Sequence, residues 1–246
     1  FDFAEYIVSF GGTLHKNLFE QAYEDTTPVH KYHTDKAYEM ISCFEGLAEY
    51  SKIMNSERDR RTVINFADNV LANESTILGC LGCQYESFDH AAAEQFNEAH
   101  TGIMQETCVT VTWMRLLDRL LRLTGKVKYA EEIEKSAFNA LYGSLNFEGL
   151  PQLSKEENIR VPGVPFDSYS PLTFKARGIG IGGYKKFSTG GYYGCCACIG
   201  AAGIALFPLV SVMAQDNGFV LNEYGNGTIT ATTPAGNPVT LTISGR

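Results

Sequence analysis

The sequence is poor in positive charge. Twenty Lys and Arg stand against 28 Asp and Glu, for a net charge of −8, and no basic cluster exceeds three residues. Even the run from Arg58 to Arg61 is interrupted by Asp59. Nucleic acids and anionic membranes need a concentrated cationic face, so this composition argues against both as partners. A long apolar run is also missing. The longest, Ile199 to Ala214, contains Pro208 and falls short of the roughly 20 residues that cross a bilayer. No leader is visible, but the chain starts at Phe1 without methionine. Phe1 is therefore expected not to be the native start, which leaves cytoplasmic, periplasmic and secreted locations open for a soluble protein. A disulfide framework is the third absence. Seven cysteines is an odd number, and 246 residues, 44% hydrophobic, can build a core without staples. Metal or thiol chemistry fits these cysteines better. The length allows one large domain or two small ones.

What is present is helical periodicity. A short apolar piece, Phe1 to Phe10, is broken by Gly11-Gly12, and a polar segment then runs to His30-Lys31-Tyr32-His33. Pro28 there favours a loop or a helix start. The two histidines read as surface or substrate-lining residues rather than a metal pair. Met40, Ile41, Phe44, Leu47 and Ala48 form one apolar stripe, and Val63, Phe66, Ala67, Val70 and Leu71 form another. Trp113, Leu116, Leu117, Leu120 and Leu121 form a third, with Arg115, Asp118, Arg119 and Arg122 opposite and Gly125 as the stop. A fourth helix is predicted over Tyr129 to Asn146, and a buried apolar one over Ala201 to Ala214. Successive amphipathic helices imply a layered or barrel all-α architecture. From Gly218 the period becomes that of strands: 219–222, 228–231 and 239–243. Asn226-Gly227 signals a hairpin between the first two. These strands stop at Arg246 with little to pack on, which predicts a second, β-type domain cut short.

The chemistry concentrates in Tyr193-Gly194-Cys195-Cys196-Ala197-Cys198. Adjacent side chains diverge on a regular strand or helix, so both sulfurs reach one centre only if the backbone turns, as the nearby glycines permit. A disulfide between neighbours would be strained. Thiolates are soft metal ligands and strong nucleophiles, whereas a buried loop of small hydrophobes is the bland alternative. Cys80 and Cys83 form a lone C-x-x-C with no second copy and no βαβ setting, and read as core thiols. The glycine-rich run 178–183 is followed by no helix with an apolar face and is not a nucleotide loop. Glu106 and Cys108 sit just ahead of the Trp113 helix. On an extended entrance they project together, with a capping carboxylate plus a buried cysteine as the alternative. Glu106, Cys108, Cys195 and Cys196 together could fill a tetrahedral zinc shell.

Glu86, then Glu106-Thr107-Cys108, then Gly194-Cys195-Cys196 resemble the β-L-arabinofuranosidases of glycoside hydrolase family 127. The likeness extends over most of the chain, including Lys36-Ala37-Tyr38-Glu39-Met40 and Gly218-Phe219-Val220-Leu221-Asn222. It implies an (α/α)6 barrel followed by a β-sandwich, with residues 1–216 as the later part of the barrel and 217–246 as the first strands of the sandwich. It implies a carbohydrate substrate, a plant-type glycan or oligosaccharide, and zinc held by Glu106, Cys108, Cys195 and Cys196. Cys195 would be the nucleophile and Glu86 the general acid/base. Where the family places a sugar-contacting histidine at a helix start, this chain has Lys36, with His33 close by. Tyr169, ahead of Pro171-Leu172, is the nearest match to a sugar-contacting tyrosine. Two other readings remain at this point: a structural-zinc or thiol-redox protein, and a non-catalytic carbohydrate-binding relative. Oligomeric state is not legible.

Overall fold

A computed structural model of the chain describes residues 2–11, 16–34, 36–81, 86–97, 105–145, 195–233 and 235–244, with the backbone of five two-residue strands between 152 and 193. The helices are α1 (Asp2–Phe10), α2 (Leu18–Glu24), α3 (Ala37–Ile53), α4 (Glu57–Asn73), α5 (Ala91–Glu94), α6 (Thr107–Thr124), α7 (Val127–Lys135) and α8 (Cys195–Ser211). The strands are β1 (Gln105–Glu106), β2 (Gln152–Leu153), β3 (Arg160–Val161), β4 (Tyr169–Ser170), β5 (Lys185–Lys186), β6 (Tyr192–Tyr193), β7 (Val212–Gln215), β8 (Gly218–Leu221), β9 (Gly227–Thr232) and β10 (Pro238–Ile243). The architecture is mainly α, part of a helical barrel followed by the beginning of a sheet region.

The expected stripes are the buried faces. Met40, Ile41, Phe44, Leu47 and Ala48 of α3 pack on α4 and α6, and the Phe44 and Phe66 rings stack with centroids 3.7 Å apart. Burying such side chains contributes about 1.5–3 kcal/mol each, which is why these stripes and not helix propensity set the layer. Helix α6 is the shared wall. Thirteen of its eighteen residues are buried, and it packs on α3, α7 and α8. Gly125 ends it with φ +66°, a left-handed value that glycine adopts without strain. Asp118, expected on the polar face, is itself buried and held by Arg122 at 2.9 Å, while Arg115 and Arg119 cross to Glu45 and Glu49 of α3. Helix α7 continues through a π-helical segment, Ser136–Leu141.

The structure departs from the sequence reading in three places. The polar segment after Gly12 contains α2, whose Leu18, Phe19 and Ala22 are buried. Asn17 starts it by accepting from Phe19 N at 2.9 Å and Glu20 N at 3.0 Å, a side-chain cap that local polarity concealed. The last helix begins at Cys195 rather than Ala201 and stops at Ser211. Its terminal carbonyls are taken by Asn222, whose side chain donates to Val210 O at 2.7 Å and whose amide donates to Ser211 O at 2.9 Å. Val212–Gln215 is then free to pair, antiparallel, with Gly218–Leu221. The strand signalled at 219–222 therefore pairs backwards with β7, not forwards across Asn226-Gly227, and β9 pairs instead with β10. An apolar run can continue a helix or open a strand, and the choice was made by Asn222 from outside it.

Helices α6 and α8 approach closely at Gly203. A Cβ there would meet Val111 Cγ2 at 2.6 Å and Leu141 Cδ2 at 2.9 Å. Gly203→Ala is expected to destabilise the protein by about 1–3 kcal/mol, because stiff, buried neighbours cannot yield. Denaturant unfolding should show a lower midpoint, whereas Gly46→Ala, with open space at its Cβ, should not.

Candidate metal centre and active site

Two helix starts meet at one point. Glu106 is the last extended residue before α6, at φ −116° and ψ 129°, and Cys108 lies in the first turn. Cys195 and Cys196 are the first two residues of α8. The adjacent cysteines thus open a helix instead of sitting on a turn. They reach one centre because α8 points its N-terminus at the N-terminus of α6. Cys108 Sγ lies 3.1 Å from Cys196 Sγ, Cys195 Sγ 3.9 Å from Cys196 Sγ, and Cys196 Sγ 4.0 Å from Glu106 Oε1. One ligand atom from each of the four residues falls within 4.8 Å of all the others. A tetrahedral ion with bonds of about 2.0–2.3 Å spaces its ligands by roughly 3.3–3.8 Å, so only small side-chain movements separate this cluster from a metal shell.

The electrostatics favour a cation. Glu106, Cys108 and Cys196 are buried, while Cys195 is exposed. Burial first, then the neighbouring Cys196 and Glu86, pushes the Glu106 carboxyl up to about 8. The hydrogen bond with Cys196, followed by burial, pushes the Cys108 thiol far up, and burial pushes Cys195 up. Glu106, Cys108 and Cys195 each resist ionising here, and a dication held among the cluster would reverse that preference. Glu106 makes no capping bond to α6, and its buried Oε2 has no hydrogen-bond partner among the described residues. The capping alternative therefore fails, and the orphaned oxygen is suited to a metal. Soft thiolates plus one carboxylate are a donor set compatible with zinc. Two helix N-termini add partial positive charge to the same spot.

Glu86 lies beside this cluster. It sits on a turn at φ +68°, and its Oε2 accepts from Lys36 Nζ at 2.7 Å. Both Glu86 and Lys36 act electrostatically on Glu106. Lys36 immediately precedes α3 and forms a backbone bridge with Ser87. The hydrogen bond to Glu86 raises the Lys36 pKa. His33 is exposed, and its Nδ1 lies 2.8 Å from Gln21 Nε2. His30 points elsewhere, to Glu74 at 3.0 Å, so the two histidines do not share a site. The Tyr169 backbone pairs with Glu106 through β4 and β1, which puts it next to a ligand; its side chain lies outside the described residues, as do residues 171–184 with the glycine-rich run, and Cys83. Cys80 is a core thiol, 2.8 Å from Thr76 Oγ1. Sequence reasoning missed Glu74, Ser87 and Gln21, because nothing local marks a residue whose partners come from distant segments.

The sequence profile of the beta-L-arabinofuranosidase GH127 catalytic domain matches residues 12–151, more than half of the chain. The chain belongs to this family. The match includes Lys36, Glu86, Glu106 and Cys108 and ends before Cys195. No curated protein shows significant similarity to this GH127 chain. Among solved structures it resembles a GH127 beta-L-arabinofuranosidase from Geobacillus stearothermophilus T6, at 16% identity and a TM-score of 0.67, with 98% of this chain and 39% of that one covered. It also resembles a glycoside hydrolase at 14% identity and a TM-score of 0.62, covering 98% and 40%. A GH127 beta-arabinofuranosidase follows at 15% and 0.59, covering 94% and 33%. At such identities the likeness is one of fold. The chain spans about two-fifths or less of the length of these proteins. Among the described residues no helix is long and apolar enough to cross a membrane.

Elemental analysis of the reduced, dialysed protein is expected to find one zinc-class ion per chain. Cys196→Ser, at the buried centre of the cluster, should lose that ion and lower the melting temperature together. Full metal retention in Cys196→Ser would contradict the shared site.

Proposed function

We propose that the protein is a retaining glycoside hydrolase acting on β-L-arabinofuranosides or related plant-type sugars, with a zinc-held cysteine nucleophile. The observation that carries this reading is the asymmetry of the cluster: three of its four residues are buried and one sulfur, Cys195, is exposed, while the Lys36–Glu86 pair acts electrostatically on Glu106 of the same cluster. Family membership supports the substrate class. Zinc is the metal we assign to Glu106, Cys108, Cys195 and Cys196; when bound it supplies charge that keeps Cys195 a thiolate, which a free thiol of pKa about 8.5 would not be at neutral pH.

In the first step the Cys195 sulfur donates its electron pair to the anomeric carbon, and the bond from that carbon to the leaving oxygen breaks. Glu86 gives its proton to that oxygen. In the second step ionised Glu86 takes a proton from water, whose oxygen attacks the same carbon and displaces the sulfur. Two displacements give net retention. Cys195 is favoured over Cys196 as nucleophile because attack needs a sulfur within about 3–3.5 Å of the substrate carbon, and Cys196 is fully buried. Lys36, His33 and Tyr169 are assigned to the sugar. Lys36 is the residue we expect to alter specificity relative to enzymes with histidine there. A division into barrel and sheet portions at 216–217 belongs to the same proposal, although the β7–β8 hairpin straddles it.

A structural-zinc role is the rival, since four protein ligands usually close a site. Its mark would be indifference of turnover to Cys195. We expect Cys195→Ser to retain the fold and much of the metal while losing turnover by about 10³-fold or more, with no glycosyl adduct by intact mass. An adduct on Cys196, or normal turnover in Cys195→Ser, would overturn the assignment. Glu86→Gln should slow substrates with poor leaving groups by about 10²–10⁴-fold while sparing the kcat/KM of activated aryl glycosides.

A further inference from the structure

The turn that carries Glu86 is fastened from behind by a carboxylate that the mechanism does not use. Glu74 follows α4 and is completely buried, at 0% exposure. Its Oε2 accepts from Asp89 N at 3.2 Å and Ala91 N at 3.0 Å. Its Oε1 accepts from His90 N at 3.0 Å and lies 3.0 Å from His30 Nδ1. The His30 and His90 rings stack with centroids 4.5 Å apart, closing the other side. Three consecutive amides thus converge on one side chain at the end of α4.

The turn needs such a clamp. Glu86 and His90 both have positive φ, +68° and +58°, without being glycine. Non-glycine residues hold that conformation only where the surroundings over-determine it. Between them Ser87 bridges to Lys36 and Phe88 is buried against Phe66. The clamp residues lie three to five positions from Glu86, too close along the chain for the turn to absorb a shift without moving the carboxylate. Only a carboxylate satisfies the geometry, since both oxygens face donors. A glutamine would turn its NH₂ toward two of them.

We infer that Glu74 is a positioning residue for Glu86: by holding the amides of Asp89, His90 and Ala91 it sets where the acid/base carboxylate stands. This rests on the reading of Glu86 given above. General-acid catalysis is sensitive to placement, and a misplacement of about 1 Å can cost about 10²-fold.

The test is leaving-group dependence, which a merely structural residue would not change. For Glu74→Gln, kcat/KM on an unactivated β-L-arabinofuranosyl disaccharide is expected to fall about 10–100-fold. On the dinitrophenyl arabinofuranoside, whose leaving group needs no proton, it should stay within about threefold, with metal content unchanged. His30→Asn, which leaves the three amide bonds intact, should give a smaller loss of the same selectivity and decides the matter if Glu74→Gln does not fold. Glu86→Gln is measured alongside. If Glu86→Gln is selective for poor leaving groups while the Glu74 and His30 variants lose both substrates equally, or neither, this inference is wrong and the role of Glu86 stands. If Glu86→Gln itself shows no selectivity, the acid/base reading fails and this inference falls with it.

Discussion

The meeting of two helix N-termini is the constraint on which the site depends. Glu106 and Cys108 come from the start of α6, Cys195 and Cys196 from the start of α8. Neither helix could bring four ligand atoms within 4.8 Å by itself. The contact is set by packing further along both helices, where Gly203 lets α8 lie against Val111 of α6 and Leu141. The chemistry of the cluster is thus governed by an apolar contact two turns away. The cost of the arrangement is visible in its charges. Three thiols and a carboxyl crowd one another, burial raises Glu106 and Cys195, the hydrogen bond with Cys196 raises Cys108, and Glu106 Oε2 is left without a partner among the described residues. Such crowding is tolerable where a metal ion completes the site, and the partial positive charge of two converging helix N-termini reduces it further.

The segment that carries Glu86, next to Glu106 in its electrostatics, is held by backbone contacts rather than by helix packing. Glu86 occupies a strained turn between α4 and α6, fixed by Lys36 and Ser87 on one side and by Phe88 and Glu74 on the other. Positive-φ residues and a buried carboxylate are expensive features for an ordinary connection. Here they coincide on one short stretch whose Glu86 acts electrostatically on Glu106 of the Glu/Cys cluster. Helices carry the sulfurs, and a clamped turn carries the Glu86 carboxylate.

Much of this was legible along the chain. The stripes of α3, α4, α6 and α7 announce themselves because a core-facing helix repeats its apolar residues every three to four positions, and that repeat is local. The four ligand candidates were legible for a chemical reason, three thiols and a carboxylate being an uncommon concentration. Local signals misled where a segment's state was set elsewhere. Helix α2 hid in a polar stretch because only Leu18, Phe19 and Ala22 face the core. The apolar run after Cys195 split into helix and strand because Asn222, outside it, caps the helix. Asn226-Gly227 has the composition of a tight hairpin, yet β8 had already been taken by β7.

By itself the sequence determined the helical layer, the candidate ligands and the lack of a long basic run, because these follow from composition and short-range period. Only the tertiary structure decided which strand pairs with which, that one cysteine of an adjacent pair is exposed and the other buried, and that Glu74 grips the turn bearing Glu86. Glu74 and Ala91 are 17 positions apart, and Glu74 and His30 are 44 apart. Contacts at such separations leave no periodic trace, because they are selected by the packing of whole helices rather than by the residues between them.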